Sequence, residues 1–130
     1  MAVVGREPIQ SVTLLAKKVI NSNRIVTDNG TNGEGVQSTD GQAKLPAGIA
    51  QVDKINDGIF NTDINVPITT IGIEFVRAGA VVTNNNGCIS DANGKGINNA
   101  TSTDFLVGHF LADGNTDDLV PVSIKPYRRD

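Results

Sequence analysis

The chain has 130 residues, enough for one domain, and its hydrophobic fraction of 38% is low for a globular protein. A formal net charge of −3 and a pI near 5.0 exclude a broad phosphate-neutralising surface, since the dense basic spots are Lys17-Lys18 and Arg128-Arg129; no nucleic-acid partner is expected. With no Trp, one Tyr and four Phe, the chain offers few platforms for stacking sugars or bases.

Residues 1–10 carry Val3, Val4 and Ile9 around the charged, Pro-containing stretch Arg6-Glu7-Pro8. This stretch has no apolar run of signal-peptide length, and no segment approaches the roughly 18 apolar residues of a membrane span. A soluble protein made in the cytoplasm, with no membrane partner, is expected. An extended N-terminal arm of this kind can add a strand to a partner's sheet.

From residue 11 onward, runs rich in Val, Ile and Thr alternate with turn signals. Asp28-Asn29-Gly30, Asn32-Gly33, Asp40-Gly41, Asp57-Gly58, Asn86-Gly87, Asn93-Gly94 and Asp113-Gly114 tolerate the positive φ angles of tight turns. The spacing predicts strands over 11–16, 24–27, 48–52, 65–75, 80–83, 105–111 and 119–125. Residues 12–21 also tolerate a short helix, with strand preferred. Gly72-Ile73-Glu74-Phe75-Val76 and Val120-Pro121-Val122-Ser123-Ile124 have the period-2 pattern of half-buried strands. Pro67 and Pro121 lack an amide hydrogen and belong at a strand edge, a first strand position or a bulge. The fold class is therefore all-β, a small barrel or sandwich over 11–125, with a tail at 126–130.

The chain echoes itself in order. Arg24-Ile25-Val26-Thr27-Asp28-Asn29-Gly30 resembles Ala80-Val81-Val82-Thr83-Asn84-Asn85-Asn86-Gly87, Gly48-Ile49-Ala50 resembles Gly108-His109-Phe110, and Asn65-Val66-Pro67-Ile68-Thr69 resembles Leu119-Val120-Pro121-Val122-Ser123. Two similar halves, about 24–69 and 80–123, are expected to close over one shared apolar interior, because one half alone buries little surface.

A search for chemistry finds little. Nucleophilic catalysis needs a nucleophile, a base and an orienting group. The lone His109 lies in a predicted strand and the lone Cys88 in a turn-rich segment, so a Cys88–His109 dyad is disfavoured. One cysteine excludes an intramolecular disulfide and any CxxC knuckle. Asp113, Asn115 and Asp117 have calcium-loop spacing, but Asp118 and Ile124 stand where an EF-hand needs Gly and Glu. The cluster Gly30, Gly33, Gly35 is followed by no GK[ST], so no phosphate cradle is expected. Asn29-Gly30-Thr31 and Asn99-Ala100-Thr101 match the N-glycosylation pattern, which carries no weight without a secretory signal. No catalytic residue, metal or cofactor is expected.

Several stretches together resemble the small capsid decoration (cement) proteins of bacteriophages. Ala78-Gly79-Ala80-Val81-Val82-Thr83 is similar to their AG-x-V entry, and Gly87-Cys88-Ile89-Ser90-Asp91-Ala92-Asn93-Gly94-Lys95 to their G-x-x-x-D-A-x-G-K stretch. Leu106-Val107-Gly108-His109-Phe110-Leu111 resembles I-x-G-x-A-L, and 120–124 their closing strand. The Asn-rich turns and His109-Phe110 depart from that pattern. The resemblance implies a virion protein on the outer surface of the capsid, bound to the major capsid protein and oligomeric, with a trimer favoured. Under it, Val3, Val4, Arg6 and Ile9 of the arm and Tyr127, Arg128 and Arg129 of the tail are the expected capsid contacts, Tyr and Arg being enriched at interface hot spots. Another virion part (a head fibre or tail tube), a carbohydrate- or receptor-binding β module, and a trimeric nucleotide hydrolase are the alternatives; Tyr127 at the extreme end counts against the last.

Overall fold

Short β-branched runs between Gly, Asn and Asp turns produce strands and, among the described residues, no helix. The computed structural model describes residues 6–28, 30, 33–39, 41, 45–51, 58–99 and 104–128. The strands are β1 (Glu7–Ala16), β2 (Ile20–Asn21), β3 (Ile25–Asp28), β4 (Glu34–Gln37), β5 (Gly48–Ala50), β6 (Ile59–Phe60), β7 (Asn65–Arg77), β8 (Gly87–Ser90), β9 (Gly96–Asn98), β10 (Phe105–Phe110) and β11 (Leu119–Arg128). Nine of them form one sheet in the order β1-β4-β3-β5-β7-β11-β10-β8-β9, and β2 pairs with β6 apart from it.

That sheet curls into two small rings that share β7. In the first, β1, β4, β3, β5 and β7 follow one another and β1 pairs back onto β7. In the second, β7, β11, β10, β8 and β9 follow one another and a parallel bridge from Ala78 to Gly96 closes the circuit. The registers repeat pair by pair. Leu14 faces Val66 as Val76 faces Val120; Val26 faces Gly48 as Cys88 faces Gly108. Ile49 faces Thr69 as His109 faces Ser123, and Ala16 meets Gly35 in parallel as Ala78 meets Gly96. The irregular backbone repeats too. Asn23 and Asn85 both have positive φ (59° and 72°), as do Asp63 and Asp117 (66° and 70°). Asp63 N donates to Ala16 O at 2.7 Å where Asp117 N donates to Ala78 O at 2.8 Å.

Each ring holds its own core, in place of the single shared interior expected from the sequence. Ala16, Val26, Ala50, Val66 and Ile68 pack together in the first ring. Their counterparts Ala78, Cys88, Phe110, Val120 and Val122 pack in the second. The reason is geometric: a sheet that closes on itself turns one face of every strand inward, so the buried side chains meet within the ring. Ala50 is small where its counterpart Phe110 is large, and Ile20 and Phe60 of the β2–β6 pair join the first core alongside it. Ile25 and Ile49 point away from their own ring and pack with the second core, forming the apolar part of the seam. Burying each such side chain stabilises the fold by about 1.5–3 kcal/mol. Polar seam contacts are Ile25 N to Gly94 O (2.8 Å), Arg77 N to Asn23 O (2.9 Å) and Gln37 Nε2 to Asn93 O (2.8 Å). Arg24 lies here as well; burial first, and then the like charge of Arg77, lower its pKa from the ordinary value.

Three sequence expectations change. Residues 80–83 are a connection, not a strand: Val82 alone makes a bridge, to Gly114, and Val81 is exposed. The counterpart of β3 is thus β8, so 24–30 does not correspond to 80–87. Glu7–Gln10, expected in the arm, continues β1 along β7, and the tail enters β11 as far as Arg128. The strand preferred over a helix within 12–21 is present at 12–16 and again at Ile20–Asn21. The predicted strand 48–52 ends at Ala50; Val52 lies outside the described residues.

Gly48 and Gly108 stand where β5 and β10 pass closest to the next strand. A Cβ on Gly48 would run into the Thr69 carbonyl, and one on Gly108 into the Ser123 carbonyl. Overpacking against fixed backbone costs about 1–3 kcal/mol. Gly48→Ala and Gly108→Ala are each expected to fall at the upper end of that range in urea unfolding. Parent-like stability in either variant contradicts the close approach at that ring.

Candidate functional site

The two ends of the chain, expected from the sequence to be separate interface segments, converge on the middle of β7. Pro8 of β1 and Ile124 of β11 both face Gly72, from opposite edges of β7. Glu7 and Ser123 likewise flank Ile73. Gly72 has φ 122°, a conformation that L side chains rarely adopt, at the point where β7 leaves the first ring and opens the second. Because Gly72 has no side chain, the backbone there is the floor of a groove. Ile9, Ile71, Ile73 and Ile124 are its apolar walls, with Ser123 and Lys125 as polar members.

Ile9 is 80% exposed and Ile71 44% exposed. Ile9 projects because β1 is bulged there: Pro8 faces Gly72 and Gln10 faces Ile71, leaving Ile9 without a partner. Together the two give the groove an exposed apolar rim. Ser123 and Lys125 add a hydroxyl and an ammonium to this otherwise apolar lining.

Behind the groove, on the inner face of β7, lies a buried carboxylate. Glu74 has the same parity as Val66, Ile68 and Val76 and is fully buried. Arg6 Nε donates to Glu74 Oε1 at 2.6 Å, and Thr69 Oγ1 donates to the same oxygen at 3.1 Å. Phe75 N donates to Oε2 at 3.1 Å. Gln51 Nε2 extends the network to Thr69 Oγ1 (3.1 Å) and Ser11 Oγ (3.0 Å). The network ties the start of β1 to β7 and so holds one wall of the groove. The sequence reading missed Glu74, Thr69, Gln51, Ser11 and Ile71. The available signal was a Glu at an apolar-parity position of a strand.

The expected contact residues divide accordingly. Ile9 is exposed in the groove, whereas Arg6 is committed to Glu74. Tyr127 and Arg128 belong to β11, opposite Leu106 and Phe105; their side chains, and Val3, Val4 and Arg129 altogether, lie outside the described residues.

Elsewhere, Cys88 and His109 do not assemble. Cys88 faces Gly108 across the ladder, so His109 next to it turns to the other side of the sheet, exposed while Cys88 is buried. Burial pushes the Cys88 thiol far above its ordinary pKa. In the 113–118 loop each carboxylate already has a partner. Asp113 Oδ1 accepts from Asn84 N (2.8 Å), Asp118 Oδ2 from Asn115 N (2.8 Å) and Asp117 Oδ1 from Lys95 Nζ (2.8 Å). The Lys95 hydrogen bond holds the Asp117 carboxyl below the usual range. Among the described residues, no group of three or more His, Cys, Asp or Glu side chains is placed to hold a metal ion.

No protein-family model matches the chain, and no curated protein sequence does. Among solved structures, it is similar to the crystal structure of the N base of the head fibre gp8.5 of bacteriophage phi29. The TM-score is 0.69 at 13% sequence identity, over 93% of this chain and 98% of that one. At that identity the likeness is one of fold.

Arg6→Ala leaves a buried carboxylate without its charged partner and is expected to destabilise by about 2 kcal/mol. Arg6→Ala combined with Glu74→Leu should cost less than the two single changes added, and a denaturant double-mutant cycle measures that difference. Cys88 should resist a disulfide reagent at mildly alkaline pH in the native state and react promptly in urea; equal rates contradict its burial.

Proposed function

We propose that this protein is a structural component of a bacteriophage virion, a capsid decoration protein that binds the outer surface of the assembled head. The observation that carries the reading is the match in fold, over nearly the whole of both chains, to the base of a phage head fibre. The groove around Gly72 supports it, since a protein that works by contact needs an exposed apolar patch, and Ile9 and Ile71 supply one.

In this role the partner is the major capsid protein, and the protein acts as a homo-oligomer, a trimer for preference, without catalysis or a cofactor. A ligand that binds only the assembled shell stabilises it by about 2.7 kcal/mol per site at a hundred times its Kd. An oligomer that engages several shell subunits at once gains avidity without new contact types. The comparison also favours a second reading within the same class: the chain as the base on which a head fibre stands.

Titrating the purified protein onto expanded shells that lack it should raise the shell melting temperature. Ile71→Asp, which puts a charge in the groove, should weaken shell binding about tenfold or more while the free protein stays folded. A parent protein that neither binds nor shifts shell melting removes the decoration reading. Electron microscopy of labelled particles separates the two readings by whether the label coats the shell or sits at fibre bases.

A further inference from the structure

Two of the hydrogen bonds across the seam between the rings come from a single Asn-Gly step. Asn93 and Gly94 lie in the turn joining β8 to β9. The Asn93 carbonyl accepts Gln37 Nε2 at 2.8 Å and the Gly94 carbonyl accepts Ile25 N at 2.8 Å. Both bonds cross from the second ring to the first.

We propose that Asn93-Gly94 is a modification site at which spontaneous succinimide formation converts Asn93 to aspartate and isoaspartate, loosening the contact between the two rings. In this reaction the Gly94 amide nitrogen attacks Asn93 Cγ. An N–Cγ bond forms, the Cγ–Nδ2 bond breaks, and the amide proton leaves with the nitrogen as ammonia. Solvent water then opens the imide at either carbonyl: one route yields aspartate, the other isoaspartate, with the main chain running through the former side chain. No oxidant or cofactor is needed.

Three observations favour this site. Asn93 is exposed. The attacking nitrogen is loosely held, since the Gly94 N–H donates to Asp91 O at 3.4 Å, at the limit of a hydrogen bond. Gly94 has no side chain of its own and a φ of 74° that suits glycine, and the nearest atoms across the seam belong to the flexible Gln37 side chain.

Asn86-Gly87 is an internal contrast with the same two residue types. Gly87 is buried in β8, and a Cβ there would strike the Leu106 side chain and come within 2.8 Å of Asn99 Oδ1. Asn86 O accepts Phe110 N at 2.9 Å, extending the β8–β10 pairing by one residue. Asn86 is exposed as Asn93 is, and Gly94 is buried as Gly87 is, so the contrast lies in the backbone. An imide at 86–87 must open the β8–β10 pairing, whereas one at 93–94 disturbs a turn held by Asn93 N and Lys95 N on Asp91 Oδ1 (2.8 and 2.9 Å).

The consequence follows from chain length. Isoaspartate inserts an extra backbone carbon between Cα of residue 93 and N of residue 94, so the two carbonyls no longer hold their spacing. They cannot then serve Ile25 N and Gln37 Nε2 together. Both products also place a carboxylate two residues from Asp91.

The test is to age the folded, full-length protein in mildly alkaline buffer at about body temperature and map its peptides by mass spectrometry, with an isoaspartate methyltransferase assay alongside. Asn93 should deamidate about tenfold or more faster than Asn86, the contrast expected between a turn and the end of a strand ladder. The melting temperature should fall in step with the isoaspartate fraction. Asn93→Gln, which keeps the backbone carbonyls, should begin with the parent's melting temperature and lose little of it on ageing. Equal rates at Asn93 and Asn86 overturn the proposal. So does an Asn93 that survives in the folded protein as long as Asn86 does while reacting in the urea-unfolded chain. Isoaspartate accumulating at Asn93 without any fall in melting temperature overturns its structural half.

Discussion

The structure depends on one strand serving two closed sheets. β7 runs for 13 residues, far beyond the usual strand length of about 5–6, because its first half completes one ring and its second half begins another. A continuous strand can do this only if its backbone changes direction without a side chain in the way. Gly72, with φ 122°, stands at that junction, flanked by Pro8 from one edge and Ile124 from the other. The rings are therefore joined by covalent continuity and by ladder bonds, beyond the contact of their surfaces. The seam residues Ile25 and Ile49 and the turn at Asn93-Gly94 then set their relative position.

Glu74 is the polar complement of that arrangement. It occupies the position in the second ring that Val12 occupies in the first: Val12 faces Ile68 and is 40% exposed, while Glu74 faces Val122 and is fully buried. Burying a carboxylate is costly unless charge and hydrogen bonds compensate it. Arg6, Thr69 and the Phe75 amide do so, and the Arg6 contact also anchors the chain's first described residue. The same interaction holds β1 in place beside the groove, so the groove's shape and the buried ion pair are linked. Loss of Arg6 affects both.

The two-ring plan divides the inside of the molecule from its outside twice over. Each small ring closes its own core and turns the other face of its strands outward. Closure also limits the edge-to-edge pairing to which open sheets are prone. Two exposed isoleucines, Ile9 and Ile71, lie where β1 and β11 approach each other across Gly72, so that both chain ends contribute to one groove.

The chain by itself determined the β class, most of the long strands and the positions of many turns, because these follow from local preferences: period-2 alternation in 72–76 and 120–124, β-branched runs, and Asn-Gly or Asp-Gly steps. The short strands β2, β4, β6, β8 and β9 were missed, since two to four residues carry too little periodicity to be read. Tertiary structure alone decided that Gly87–Ser90, and not 80–83, is the counterpart of Ile25–Asp28, because register is set by which edges meet across the ring and a chance Val-Val-Thr likeness carries no such information. It alone decided that there are two cores instead of one, since ring closure depends on pairings such as Ala78 with Gly96 between residues distant in sequence. It also brought Ile9 beside Ile71 and Lys125, and Arg6 onto Glu74. Spacing along the chain cannot announce such neighbours, because strand pairing creates them.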